Sequence, residues 1–153
     1  RAGVSAGTNV IEVDTSAPAE LAALALALKG LRPQLIVVGT GDPVRGAVES
    51  ALTTLGLDYF ECFLATGPDA DFGEAATLVG AGLARSVGLA TDDAAQALAA
   101  VLDGNIDVVQ VPLSLLELRS PSGVDAVMNA ARDADVGVLA ARRSEAAASE
   151  PAA

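Results

Sequence analysis

Six short apolar runs rich in β-branched residues punctuate the chain: Asn9–Asp14, Leu35–Val38, Tyr59–Ala65, Arg85–Leu89, Asp107–Val111 and Val136–Ala140. Each has the length of a buried strand. The intervals between them read as helices rich in Ala and Leu. Pro18 sits where a first helical turn would open, and Gly30 lies just past its end, an asymmetry that helices favour. Asp42-Pro43 opens a second predicted helix, which runs to about Leu55 and stops at Gly56. Asp69 or Asp71 is expected to cap the third. Thr91 or Asp92 is expected to cap the fourth, which ends at Gly104, and Ser122 the fifth.

Strands alternating with helices imply βα units on a parallel sheet, so the predicted fold class is α/β with about six such units. A complete (βα) barrel has eight units and typically ~250 residues. A chain of 153 residues is one domain or a piece of a larger one. The period continues to about Arg143, so residues 1–143 are expected to form the domain. The remainder, 144–153, reads Ser-Glu-Ala-Ala-Ala-Ser-Glu-Pro-Ala-Ala and predicts a flexible, solvated tail.

Composition adds three restrictions. Hydrophobic residues make up 52% of the chain, enough for a sizeable core, yet aromatics are only 3% and Trp is absent, so that core must be built from Ala, Val, Leu and Ile. The net charge is −11, with Lys29 the only lysine, and a surface of this sign repels nucleic acid and anionic membranes. No apolar run approaches the ~18 residues needed to span a bilayer. A soluble protein of the cytoplasm or an organelle matrix is expected. Because the chain begins at Arg1 and not Met, a processed chain is compatible with this reading.

The chemistry available is narrow. There is no His, which removes histidine bases, the usual catalytic triads and most zinc sites. The single cysteine, Cys62, lies inside an apolar run and reads as a small core residue; it can form no internal disulfide. Ligands of parallel α/β folds bind at the C-terminal ends of the strands. Those ends offer a mild polar rim that includes Asp14, Thr15, Thr40, Thr66, Thr91, Gln110 and Ser114, with no cluster of Lys or Arg to hold a phosphate. The threonine hydroxyls suit either a small polar pocket or caps for the following helices. Gly39-Thr-Gly41 hints at a phosphate-binding turn, but the third glycine of a dinucleotide fingerprint would fall at Val44, and Asp42 would repel a phosphate. Glu12 and Asp14 share a strand face. With neither His nor a second Cys beside them, no metal site is predicted.

Four stretches resemble the aldo-keto reductase family. They are Val48–Tyr59, Leu78-Val-Gly-Ala-Gly-Leu-Ala-Arg-Ser-Val-Gly88, Ile106-Asp-Val-Val-Gln-Val-Pro-Leu-Ser-Leu-Leu116 and Val136–Ala140. The third is the most specific, and the resemblance covers roughly Val4 to Arg143. It implies a TIM-barrel-derived fold, partial or reduced. It also implies descent from NADP(H)-dependent oxidoreductases, in which a tyrosine flanked by an aspartate, a lysine and a histidine protonates a carbonyl.

Carried over position by position, the resemblance implies a depleted site. The aspartate falls at Glu12, in the run Gly7-Thr-Asn9-Val-Ile-Glu12, or at Asp14 if two residues are inserted. The tyrosine position is Ala17 or Ala19, the lysine position Gly41, and the histidine position Thr66. Tyr59 matches the start of a strand, away from the active face. Of the residues that hold the nicotinamide carboxamide, Gln110 is kept, while a Ser-Asn pair is replaced by Ala90 and Thr91. Ala141 stands where an aromatic would stack on the nicotinamide, and Arg142 and Arg143 precede the phosphate-binding region. Gln110 is thus either a retained amide ligand or a polar side chain filling the barrel mouth.

Three readings follow. The first is a pseudoenzyme, a structural or regulatory subunit with no cofactor. The second is an NADP(H)-dependent reductase, alone or completed by another subunit. The third is a small-molecule binding module. A barrel lacking its first and last strands leaves two parallel edges, and exposed edges invite pairing. They are expected either to meet each other in a smaller closed form or to be covered by a protein partner or a second copy.

Overall fold

A computed structural model describes residues 7–68, 70, 72–112 and 123–141. Six strands alternate with five α-helices: β1 (Val10–Asp14), α1 (Pro18–Leu28), β2 (Ile36–Gly41), α2 (Arg45–Leu55), β3 (Cys62–Thr66), α3 (Phe72–Gly80), β4 (Val87–Ala90), α4 (Ala94–Asp103), β5 (Val108–Pro112), α5 (Val124–Asp133) and β6 (Gly137–Ala141). A short 3-10 turn, Arg32–Gln34, links α1 to β2. Every neighbouring pair of strands is parallel, in the order β1-β2-β3-β4-β5-β6.

Both faces of this sheet are apolar. Outward-facing Val13, Val37 and Phe63 pack under α1 to α3 with Leu21, Leu52 and Leu78. Leu89, Val109 and Val111 do the same beneath α4 and α5, against Val101 and Val127. The inner face has its own smaller cluster, Val38, Cys62 and Leu64, joined by Ala90, Val108 and Leu139. Burial on two faces explains why the strands read as continuous apolar runs and not as alternating ones. At Gly88 a Cβ would come within 2.0 Å of the Val108 carbonyl oxygen, so this register of β4 on β5 requires glycine.

The sheet curls about its inner cluster as a half-barrel. Two signs mark the curl: Glu12 of β1 meets Gln110 of β5, and a single cavity is lined both by Val10 and Glu12 and by Leu139 to Ala141. Between β1 and β6 there is no ladder among the described residues, so the closed six-stranded form is not the one adopted.

Local departures from the sequence reading have local causes. The second helix opens at Arg45 and not at Asp42-Pro43. Val44 is extended at its start, and Pro43 is drawn into the core. Helix α4 is capped by Asp93, which accepts hydrogen bonds from the amides of Ala95 and Gln96, and not by Thr91 or Asp92. Thr91 lies two residues earlier and accepts from the Asp93 amide. The expected caps Asp69, Asp71 and Ser122 and the tail 144–153 lie outside the described residues.

Candidate functional site at the barrel mouth

Parallel pairing brings the C-terminal ends of the strands to one rim. On the inner face, Glu12 stands in β1, Thr66 and Ala90 are register partners, and Ala90 pairs in turn with Gln110. The nitrogen of the Gln110 carboxamide donates to the Glu12 carboxylate at 2.9 Å. A carboxylate only accepts, so this contact fixes which end of the amide faces Glu12. The other end, Oε1, is buried without a hydrogen-bond partner. An unmet buried acceptor costs about 1–3 kcal/mol.

Asp14 is committed elsewhere. Its Oδ1 accepts from the Ser16 hydroxyl at 2.6 Å and from the Ser16 amide at 2.8 Å, closing a turn at the end of β1. These bonds, the hydroxyl first, hold its carboxyl below the usual range. The two candidates for the aspartate position therefore differ: Glu12 faces the barrel interior, and Asp14 folds back on its own turn.

The threonines do not cap helices. Thr15 donates from its hydroxyl to the Thr40 carbonyl at 2.9 Å, and the Thr40 hydroxyl donates to the Val13 carbonyl at 3.3 Å. Together they stitch the ends of β1 and β2. Gly41 sits against this stitch with φ of 141°, and a Cβ placed there would lie 2.6 Å from the Thr15 hydroxyl oxygen. The position is closed to a side chain both by backbone conformation and by its neighbour. Thr66 is exposed at the end of β3.

A cleft of about 570 Å³ opens at this rim between β3, β4, β5 and β6. Its lining includes Ala90, Thr91, Gln110 and Ala141, four positions the sequence reading singled out. It also includes Gln96, which that reading missed. The Gln96 amide donates to the carbonyls of Gly67 and Pro68, and its oxygen accepts from the Thr91 hydroxyl at 2.6 Å. Gln96 thus ties the loop after β3 to the start of α4. Asp92 and Asp93 are among the cleft's charged lining residues, and among the described residues no Lys or Arg lines it.

The remaining candidates lie apart. Ala17, half-buried, immediately precedes α1, and Ala19 is exposed in its first turn. Tyr59 precedes β3, at the opposite end of the barrel, where Arg85 lies 4.2 Å from its ring centroid and donates to its hydroxyl. Cys62 belongs to the inner cluster, and burial pushes its thiol pKa up. No group of three or more His, Cys, Asp or Glu suited to a metal occurs among the described residues. Ser114, Arg142 and Arg143 lie outside them.

No protein-family model matches this sequence. No curated protein matches it. Solved structures do. An aldo-keto reductase from Klebsiella pneumoniae, in complex with NADPH, superposes with a TM-score of 0.75 at 22% identity, over 92% of this chain and 54% of that one. The holo form of an aldo-keto reductase from Bacillus halodurans gives 0.76 at 18%, over 90% and 53%. A Pseudomonas aeruginosa protein assigned to the same family gives 0.74 at 21%, over 88% and 60%. The chain therefore spans little more than half the length of these relatives. Over that span, it has the fold of the aldo-keto reductases: six parallel strands alternating with five helices among the described residues.

Proposed function

We propose that this chain is a non-catalytic subunit on an aldo-keto reductase scaffold, structural or regulatory in role. The observation that carries the reading is Gly41. At the position where the resemblance expects a lysine, the backbone is left-handed, and Thr15 occupies the space a side chain would need. A site that had merely exchanged one side chain for another would keep room for a cation. The other positions agree with it: Ala17 or Ala19 replaces the phenol and Thr66 the imidazole. Replacing even one catalytic group typically costs several powers of ten in rate.

The described residues do not fit NADP(H). Among them the cleft lining contributes Asp92 and Asp93 but no cation toward a polyanion, and Ala141 gives no ring for stacking. Gln110 has its amide nitrogen engaged by Glu12 and its oxygen buried. No step is assigned to the cofactor.

A second reading, a reductase completed by another subunit, draws on the resemblance, which implies that Gln110 is kept from the family's nicotinamide site, and on a neighbour of this fold that was solved with NADPH. A binding module using the open cleft is a third. NADPH oxidation with a panel of aldehydes and ketones separates these readings. The subunit reading expects no turnover above buffer. Turnover that disappears in Gln110→Ala overturns it.

A further inference from the structure

We draw no further inference here: the strongest candidate, the side-chain cluster of Thr91, Gln96 and Gln110 along the cleft at the ends of β3 to β6, belongs to the site already described, and its members are bonded to one another, to the loop after β3 and to Glu12.

Discussion

At the scale of single residues, the mouth of the barrel is a set of polar groups bound to one another. Glu12 holds Gln110, Ser16 holds Asp14, and Thr15 and Thr40 hold the ends of their strands. Gly41 is the sharpest case. Gly41→Lys would not rebuild a catalytic cation; strain at such a backbone conformation is of order 1–3 kcal/mol, and the clash with Thr15 adds to it. Urea unfolding should show the variant less stable by at least that amount, with no gain of reductase activity. A variant as stable as the parent would mean that the position is open after all. Cys62 gives a pH prediction. Its folded pKa lies above the ordinary 9.0 because burial disfavours the thiolate. The stability it contributes is fully present below pH 9.0 and is lost as pH rises through the folded pKa. Thiol labelling of the native protein at pH 8 should therefore be slow and limited by unfolding. Rapid labelling would place the thiol in an accessible, activated setting. Gln110 was legible from the chain because a family pattern surrounds it. Gln96 was not, because its partners Gly67 and Pro68 lie 29 and 28 residues away and no local spacing announces the contact.

At the scale of elements, the hydrophobic pattern located every strand but not every end. The run Leu35–Val38 stops where the large apolar residues stop, yet β2 continues through Gly39, Thr40 and Gly41, because pairing with β1 and β3 holds them. Likewise Tyr59 to Glu61 look like strand. Of them Phe60 makes only an isolated bridge, to Ala84, before β3 begins at Cys62. Helix caps were ambiguous wherever several candidates adjoin. Thr91, Asp92 and Asp93 are all competent, and the register of α4 selects Asp93. Asp93→Ala should cost about 1 kcal/mol, as loss of an N-cap does. Thr91→Ala should loosen the contact with Gln96 and cost less. Equal losses would mean that the two side chains share the cap.

At the scale of the molecule, parallel βα order was legible, since strands of a parallel sheet buried on both faces read as continuous apolar runs separated by helices. The curl itself was not. It depends on contacts such as that between Glu12 and Gln110, 98 residues apart, which no periodicity encodes. Neither did the chain reveal how the edges would lie: β1 and β6 frame an open side with an interior cavity of about 410 Å³ between them. An eight-stranded barrel fills its interior with side chains and has no edge.

The central claim is that the scaffold is kept without its cofactor chemistry. Its most direct test is a calorimetric titration of the chain with NADPH, read alongside thermal shift. No heat of binding and no rise in Tm is expected up to millimolar NADPH. Binding at micromolar strength, about −8 kcal/mol, would require specific contacts that the described cleft does not offer. That result would contradict the account and return the protein to the reductases.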